Sequence, residues 1–295
     1  MTQKTESISA AAAGSVPLGD LSVHRLGFGA MRLTGKGIWG PPEDRNAALA
    51  TLRRAVELGV NFIDTADSYG PGISEQLIAE ALSPYPKDVV VATKGGWERV
   101  GPAQWIHNAG PKHLREAVDG SLERLRLDHI DVYYLHVPDM AVSFDASVSA
   151  LAQLREQGKI RHVALSNVTL EHLQRAQKIV PIVAVQNRYG FADREWDYLL
   201  NHCEAHGITF VPWAPLGQNR QANQILEEVA KKLAATPLQV ALAWLLRRSP
   251  VMAPIPGTSS LAHLEENVAA AALQLPDEDF KKLSDITPAP ANYRE

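Results

Sequence analysis

Eight short apolar runs recur along this chain of 295 residues, separated by segments with helical periodicity. Each run is apolar without interruption, which is typical of parallel strands buried on both faces. Eight strand–helix units of roughly 30 residues, with no linker between them, predict a single (β/α)8 barrel of the TIM type. The predicted strands are residues 25–29, 61–64, 89–93, 130–135, 160–166, 182–186, 209–213 and 252–256.

The segments between these runs carry helix signals. Residues 44–58 have apolar side chains on one face and are followed by Gly59, a residue that favours a helix C-terminus. Thr236 and Pro237 are typical of an N-cap and of the first position of a helix. The other predicted helices are residues 73–82, 111–125, 144–157, 169–180, 194–206, 224–235, 237–248, 261–272 and 277–286.

The chain is predicted to form one domain. Residues 16–295 make up the barrel, with an N-terminal β-hairpin turning at Gly19-Asp20 and extra helices at the C-terminus. Residues 1–15 lack the apolar run of a secretory signal, and we expect a flexible leader. The rival architecture, a doubly wound open sheet, normally carries a G-x-G-x-x-G turn after its first strand. Only Gly27 and Gly29 match it, which we interpret as tight packing at the barrel floor or wall.

Charge and composition exclude several kinds of partner. The formal net charge is -4 with no basic stripe, so neither nucleic acid nor a membrane is a predicted partner. No segment approaches the roughly 18 consecutive apolar residues of a membrane-spanning helix. A single cysteine, Cys203, suits a reducing compartment, and we predict a cytoplasmic protein. No spacing of histidine and cysteine resembles a metal site, so no metal is predicted. The sequence leaves the oligomeric state open.

Titratable side chains end three of the predicted strands. Asp64, Lys94 and His136 follow the apolar runs directly, and Tyr69 comes five residues after Asp64. Catalytic groups of a TIM barrel lie at the C-terminal ends of several strands, so we expect these four side chains to meet at one rim. Any one of them alone could be a helix cap or a structural residue. Together they predict a site that moves protons.

The chemistry of this set can be worked out from charge. Lowering the pKa of a phenol by about two units requires about 2.7 kcal/mol. An ammonium about 4 Å away supplies on the order of 4 kcal/mol at an effective dielectric near 20. Lys94 is therefore expected to lower the pKa of Tyr69, with Asp64 keeping Lys94 charged. His136 would orient a substrate oxygen. Such a set protonates a carbonyl oxygen, and because no side chain donates hydride, a cofactor must.

Residues 62–70, from Phe62 to Gly70, resemble the signature of the aldo-keto reductases, and the resemblance extends over residues 16–287. It implies that Tyr69 is the proton donor and that Asp64, Lys94 and His136 complete a catalytic tetrad. It also implies a nicotinamide cofactor held without a Rossmann fold. The implied cofactor contacts are Ser166, Asn167 and Gln186 on the carboxamide, Trp213 on the ring, and Ala214, Leu216, Gly217, Gly257, Thr258, Ser259, His263, Glu266 and Asn267.

One departure from the family pattern concerns the cofactor. Many members that prefer NADPH carry basic residues where this chain has Gly257 and His263. We expect the 2'-phosphate to rest on Thr258, Ser259 and the amides that open the following helix, since a helix N-terminus binds anions. NADPH is the predicted cofactor and NADH the alternative. Arg220 and Arg247 are further cations that could read the phosphate.

A closer resemblance, carried by residues 28–33, 38–45 and 255–260, is to a bacterial branch that includes pyridoxal reductases. It implies an aldehyde or ketone substrate, with reduction of pyridoxal to pyridoxine as the leading reaction. Trp39, Trp97 and Trp105 lie in predicted loops after the first strand and after Lys94. We predict that they line the substrate pocket by stacking on a ring, although packing the loops down would use them equally well.

Two other functions remain open at this point. A Schiff-base aldolase would use Lys94 as its nucleophile, but would need that lysine uncharged. A nucleotide-sensing subunit would keep the same fold without turnover, because a fold alone does not fix a function.

Overall fold

The chain alternates strands and helices in the predicted order. The computed structural model describes residues 8–214 and 220–286. Its strands are β1 (Ser15–Leu18), β2 (Leu21–His24), β3 (Phe28–Gly29), β4 (Phe62–Asp64), β5 (Val90–Gly95), β6 (Trp97–Gly101), β7 (Gln104–His107), β8 (Ile130–Leu135), β9 (Ile160–Ser166), β10 (Ile182–Gln186) and β11 (Thr209–Phe210). Its α-helices are α1 (Arg45–Glu57), α2 (Ile73–Leu82), α3 (Pro111–Leu125), α4 (Phe144–Glu156), α5 (Leu170–Ala176), α6 (Asp197–His206), α7 (Arg220–Lys232), α8 (Pro237–Arg248), α9 (Leu261–Ala269) and α10 (Asp277–Ser284).

Seven parallel strands form a curved sheet in the order β3-β4-β5-β8-β9-β10-β11. The eighth predicted strand, at residues 252–256, closes it into a barrel. Ala253 donates to the carbonyl of Phe210 in β11 at 2.9 Å, and on the other side the carbonyl of Pro254 accepts from Gly27 at 3.0 Å. Pro254 and Pro256 have no N–H to return to β3, so this segment pairs without becoming a regular strand. The predicted (β/α)8 barrel is confirmed.

The hairpin β1–β2 forms the floor of the barrel. Its two strands pair antiparallel through the predicted turn, where Gly19 has a φ of +67°. Val16, Leu18 and Val23 point into the barrel and pack against the lower side chains of the parallel strands, among them Phe62. The interior is therefore closed at the end where the strands begin, and open only where they end.

The described part of the predicted leader, residues 8–15, contacts the barrel. Ala10–Ala13 form a 3-10 helix capped by the Ser9 hydroxyl, and Ala10 is fully buried. The Ala10 N–H donates to the carbonyl of Leu58 at 2.8 Å. The alanine side chains are small enough for the backbone of residues 10–13 to lie close against the end of α1.

The helices match the predictions except at a few ends. α5 ends earlier than predicted, because residues 177–180 form turns before Pro181, and a proline disfavours helix in the residue before it. α6 begins later than predicted, at Asp197 rather than at residue 194. No single helix of residues 8–214 or 220–286 is long and apolar enough to cross a membrane. Residues 223–232 and α8 reach that length only as a pair bent by 95°.

The hairpin at the mouth of the barrel was not predicted. β6 and β7 form an antiparallel hairpin directly after Lys94, where the sequence analysis placed a long loop. Trp97 pairs with His107 and Arg99 with Trp105 in this hairpin. Alternating burial along β6 leaves Trp97 and Arg99 on the inner face and Glu98 and Val100 in solvent. We call residues 97–107 the mouth hairpin.

Candidate functional site

The polar residues at the rim continue apolar rows that line the barrel interior. On a strand every second residue faces the same side. Below the rim these inward rows are apolar, as with Val90 and Ala92 on β5, and with Val132 and Tyr134 on β8. One step further along, the same rows become polar. The residues in those positions are Asp64, Lys94, His136, Ser166 and Gln186.

Asp64 and Lys94 form a buried ion pair at the centre of the site. The two side chains are almost completely excluded from solvent, and Lys94 Nζ lies 2.6 Å from Asp64 Oδ1. Lys94 also donates to the carbonyl of Thr65 at 2.7 Å, and Gln186 donates to the second carboxylate oxygen of Asp64 at 2.9 Å. Burial acts to lower the pKa of Lys94, but the carboxylate of Asp64 outweighs it and the pKa is raised. The lysine is therefore an ammonium at neutral pH.

Tyr69 is held over this pair by the loop between β4 and α2. Its backbone N–H donates to Ala66 and its carbonyl accepts from Ser74 at 3.1 Å. Lys94 Nζ lies 5.2 Å from the centre of the phenol ring. The ring of His136 lies 5.9 Å from that of Tyr69, edge to face. The structure thus brings together the four side chains predicted as catalytic.

The pKa of Tyr69 differs from the sequence-based expectation. Lys94 does favour the phenolate, as predicted, but burial of the phenol outweighs that attraction and raises the pKa above its usual range. Burial disfavours a charged group because it removes water. Tyr69 is consequently a protonated phenol at neutral pH, with an ammonium beside it to stabilise the charge left when the proton departs.

His136 is a neutral imidazole. Burial, and secondarily the positive charge of Lys94, hold the pKa of His136 well below its usual range. Its Nδ1 atom is buried with no hydrogen-bond partner among the described residues. The carbonyl of His136 accepts from the side-chain amide of Asn167 at 3.0 Å, which ties the end of β8 to the end of β9.

Three polar side chains predicted to hold a carboxamide lie on adjacent strand ends. Asn167 has a positive φ of 57° and its amide also donates to the Ser166 hydroxyl at 3.1 Å. Ser166 and Gln186 are buried. Asn187, which the sequence analysis did not single out, forms two hydrogen bonds with the backbone of Val168. Its side-chain oxygen accepts from the Val168 N–H, and its side-chain NH2 donates to the Val168 carbonyl. This donor and acceptor set suits an amide group such as that of nicotinamide.

Trp213 lies at the rim beyond β11. Its backbone pairs with the loop after β10, where Tyr189 donates to its carbonyl at 3.2 Å. The side chain is 36% exposed, which is unusual for so large an aromatic residue and leaves indole surface for a stacked ring. Ala214 follows with a positive φ of 51°. Leu216 and Gly217, predicted as further cofactor contacts, lie outside the described residues.

The predicted phosphate end of the cofactor site lies at the start of α9. Ser260 caps the helix by accepting from the His263 N–H, and Thr258 accepts from the N–H of Ser260 at 3.0 Å. Gly257 packs its backbone against Gly29, so that an added Cβ would lie 2.4 Å from the Gly29 carbonyl oxygen. The exposed members of the predicted set are Ser259, His263 and Glu266, and Asn267 is buried.

Of the two further cations considered, Arg247 has other partners. It donates to the carbonyl of Leu275, pairs with Asp277 and lies 4.4 Å from the ring centre of Phe280. The side chain of Arg220 lies outside the described residues.

The three tryptophans predicted for the substrate pocket do not occupy equivalent places. Trp97 lies nearest the reacting groups, with its ring centre 6.4 Å from that of His136. Trp105 packs under the guanidinium of Arg99 at 3.7 Å, and Trp39 lies 5.7 Å from it. The sequence analysis did not single out Arg99. Trp97 and Arg99 nevertheless alternate with Glu98 and Val100 just before the turn signal Gly101-Pro102, and this pattern predicts a hairpin.

A second group of titratable residues lies behind Tyr69. Glu75 is fully buried, accepts from Thr93 at 2.6 Å and pairs with Arg124 at 2.6 Å. Burial, then the nearby charge of Glu75, raises the pKa of Asp67 to about 8. Its Oδ1 atom is buried and unpaired within the described part of the chain. No three His, Cys, Asp or Glu side chains of residues 8–214 and 220–286 could hold a metal together.

Comparison with known proteins gives a consistent result over the whole barrel. The sequence profile described as the Aldo/keto reductase family matches residues 25–288. The uncharacterized oxidoreductase C215.11c of Schizosaccharomyces pombe is 48% identical over 286 residues, 96% of this chain and 93% of that protein. Pyridoxine 4-dehydrogenase of Escherichia coli is 46% identical over 277 residues, 92% of this chain and 97% of that protein.

More distant proteins also match this chain over nearly its whole length. The NADH-specific methylglyoxal reductase of Escherichia coli is 30% identical over 320 residues, 93% of this chain and 98% of that protein. Among solved structures, an aldo-keto reductase of Klebsiella pneumoniae in complex with NADPH superimposes with a TM-score of 0.78 at 28% identity, covering 94% of this chain and 96% of that one.

Proposed function

This chain belongs to the aldo/keto reductase family, and we propose that it reduces the aldehyde of a flat aromatic substrate, pyridoxal foremost, with NADPH as reductant and Tyr69 as proton donor. Its family makes it an NAD(P)H-dependent oxidoreductase that acts on small carbonyl compounds. The assignment of roles to residues, of the cofactor and of the substrate is our proposal.

The observation that carries the proposal is the buried Lys94–Asp64 pair beneath a protonated phenol. A reduced nicotinamide would supply the hydride to the carbonyl carbon. Tyr69 would give its proton to the carbonyl oxygen, and Lys94 would stabilise the phenolate that remains. Neutral His136 would donate a hydrogen bond to the same oxygen and fix its direction. Hydride and proton together convert the carbonyl to an alcohol.

The same geometry disfavours the aldolase alternative. A Schiff base needs an uncharged amine that can reach the substrate. Lys94 is fully buried, donates to Asp64 and to Thr65, and its pKa is raised. Such a lysine is a poor nucleophile and a good source of positive charge.

NADPH is favoured over NADH by the polar start of α9. Thr258, Ser259 and the amides that open that helix would offer hydrogen bonds to a phosphate, and the solved relative from Klebsiella pneumoniae binds NADPH. The methylglyoxal reductase relative is NADH-specific, so the family accommodates both cofactors. Because Gly257 and His263 replace basic residues, we expect the preference for NADPH to be modest.

Pyridoxal is favoured by likeness and by the character of the mouth. Pyridoxine 4-dehydrogenase of Escherichia coli is similar over nearly its whole length. The inner face of the mouth hairpin presents Trp97 beside His136, which suits a flat ring next to the reacting aldehyde.

Replacing the phenol tests the proposal directly. We expect Tyr69→Phe to slow NADPH-dependent reduction of pyridoxal by about 10² to 10⁴-fold, because a general acid contributes roughly that much. The NADPH dissociation constant should stay unchanged, since the ring itself is retained. Turnover is followed by the absorbance of NADPH, and binding by its fluorescence.

Tyr198→Phe is the matched control, because Tyr198 lies on α6 and is about half exposed. It should turn over like the wild type. Full activity in Tyr69→Phe would show that another group donates the proton. A wild-type protein that binds NADPH but reduces no aldehyde of a broad panel would instead support the nucleotide-sensing alternative.

A further inference from the structure

Arg99 donates hydrogen bonds to backbone carbonyls both inside and outside the mouth hairpin. Its guanidinium donates to five carbonyl oxygens: Gln104 and Gly101 within the mouth hairpin at 3.1 and 3.4 Å, Ile38 and Gly37 in the loop after β3 at 2.9 and 3.0 Å, and Ser68 at 3.0 Å. Only arginine presents enough N–H donors in a planar fork to reach so many acceptors. Three separate segments are thereby joined at one side chain.

The guanidinium is also packed between aromatic rings. Its central carbon lies 3.7 Å from the ring centre of Trp105 and 5.7 Å from that of Trp39. Burial lowers the pKa of Arg99, as expected for a cation drawn out of water, although arginine keeps its charge. Trp39 and Trp105 are therefore committed to the cation, and they clamp the loop after β3 to the mouth hairpin.

This leaves Trp97 as the indole that faces the chemistry. Trp97 lies on the same face of β6 as Arg99, two positions earlier, so fixing Arg99 fixes the height of Trp97 above the rim. Its ring is edge to face with His136 and lies 4.3 Å from the ring of His107. The opposite face of the hairpin is in solvent, with Val100 and Ile106 each about half exposed. The hairpin is thus held mainly by its inner face.

We propose that Arg99 is a positioning residue that docks the mouth hairpin onto the barrel, and that the docked hairpin selects flat aromatic carbonyl substrates through Trp97. The inference rests on the proposed reductase function and names the feature that sets its substrate class. Arg99 touches neither the substrate nor the reacting atoms; it acts through the placement of Trp97. A small aldehyde that needs no ring contact would be much less sensitive to it.

The test compares two substrates in one variant. In Arg99→Lys the charge is kept, but an ammonium has three donors and no planar face. We expect kcat/KM for pyridoxal to fall about two- to tenfold more than kcat/KM for methylglyoxal, the size of effect that loss of one aromatic stacking contact produces. The loss should appear in KM for pyridoxal. Arg115→Lys, an exposed arginine on α3, should change neither value.

A second variant guards against misfolding. Trp97→Leu leaves every donor of Arg99 in place and should show the same selective loss for pyridoxal. Equal losses for both substrates in the two variants, or no loss in either, would overturn the inference. A mere structural role for Arg99 would lower the melting temperature and leave the ratio of the two substrates unchanged.

A measurement of binding separates this inference from the proposed function. Calorimetry of pyridoxine with the protein saturated in NADPH reports on the ring site without turnover, because the alcohol and the cofactor are then both in the reduced form and cannot react. If the wild type reduces no aldehyde, the proposed function fails, but weaker pyridoxine binding in Arg99→Lys and in Trp97→Leu would still support the hairpin's role. Equal affinity in wild type and both variants would refute it.

Discussion

At the scale of single residues, the environment of each carboxyl group decides its charge. Asp64 is the last residue of β4, and Asp67 lies three positions later in the loop that follows, yet their surroundings differ. Burial raises the pKa of both carboxyl groups. Asp64 has an ammonium 2.6 Å away that opposes the shift, whereas Asp67 has the carboxylate of Glu75 nearby and Arg124 only as a weaker, opposing charge. The first is a partner for a cation, and the second is a carboxylic acid that burial keeps protonated.

The protonated state of Asp67 predicts how stability depends on pH. Its pKa is about 8 in the folded protein against an ordinary value of 3.8, so between those two values the folded state binds more protons than the unfolded state. Stability from this group is therefore lost as pH rises from about 4 to about 8. Asp67→Asn, which cannot ionise, should be more stable than the wild type by on the order of 5 kcal/mol near pH 8, since a difference of about four pKa units corresponds to roughly that free energy.

Urea unfolding at several pH values measures this difference. The gain should shrink towards zero below about pH 3, where the wild-type carboxyl is protonated in both states. Around Asp67 the charged and titratable groups are Glu75 on α2, Arg124 on α3, Tyr133 on β8 and Tyr69 in the loop before α2, and none of them is replaced in the variant. A variant that is no more stable at pH 8 than at pH 4, relative to wild type, would mean that Asp67 is ionised in the folded state.

The sequence was sufficient to predict Asp64, Tyr69, Lys94 and His136 as a cluster, because strand-end position and side-chain chemistry are both visible in it. It did not reveal the role of Asp67. That role depends on Glu75 and Arg124, which come from two helices, and on a depth of burial that only the packed structure defines. The pKa of Tyr69 was misjudged for the same reason, since charge could be counted from the sequence but burial could not.

At the scale of elements, two hairpins lie at opposite ends of the barrel and differ in what they contribute. β1–β2 closes the floor with apolar side chains, and the mouth hairpin borders the rim with aromatic rings and one arginine. The floor hairpin was predicted, since its turn is a Gly-Asp pair between alternating apolar residues. The mouth hairpin was missed because its strands are short and its inner face carries tryptophan and arginine rather than aliphatic residues.

The floor hairpin should contribute stability without touching the chemistry. Leu18 is fully buried within it, so Leu18→Ala should lower the free energy of unfolding by about 2 to 5 kcal/mol. Both kcat and KM for pyridoxal should remain at wild-type values at a temperature where the variant is folded. Ile179→Ala, at a residue that is 36% exposed, is the control and should cost far less.

A loss of turnover in folded Leu18→Ala would contradict this separation of floor and rim. It would imply that strain at the floor reaches Lys94 through the inward row of β5. Circular dichroism at the assay temperature distinguishes that result from simple unfolding.

At the scale of the whole molecule, closure depends on close backbone contact between the first parallel strand and the last segment. Gly29 has an ordinary extended backbone, with φ of -91° and ψ of 117°, so alanine would fit its conformation. A Cβ there would nevertheless lie 2.7 Å from the carbonyl oxygen of Ile255. The Gly-x-Gly of the sequence thus reflects tight packing in the barrel wall, as predicted, rather than a phosphate-binding turn.

Gly29→Ala should therefore destabilise the barrel by about 1 to 3 kcal/mol, the usual cost of overpacking. Thermal and urea unfolding measure the change. Gly110→Ala is the control, because its added Cβ would come no closer than 3.7 Å to another side chain. If Gly29→Ala were as stable as the wild type, the last segment would have to be free to move away from β3.

The same closure bears on how the protein is made. Arg25, just before β3, reaches the carbonyl of Met252, 227 positions along the chain. While the polypeptide emerges from the ribosome, β3 can pair on one side with β4, but its other edge has no partner until residues 252–256 are synthesised. An unpaired strand edge is a site of aggregation, and contacts between distant residues form slowly. Until residues 252–256 have paired with β3, the nascent chain should thus depend on a chaperone or on fast completion of translation.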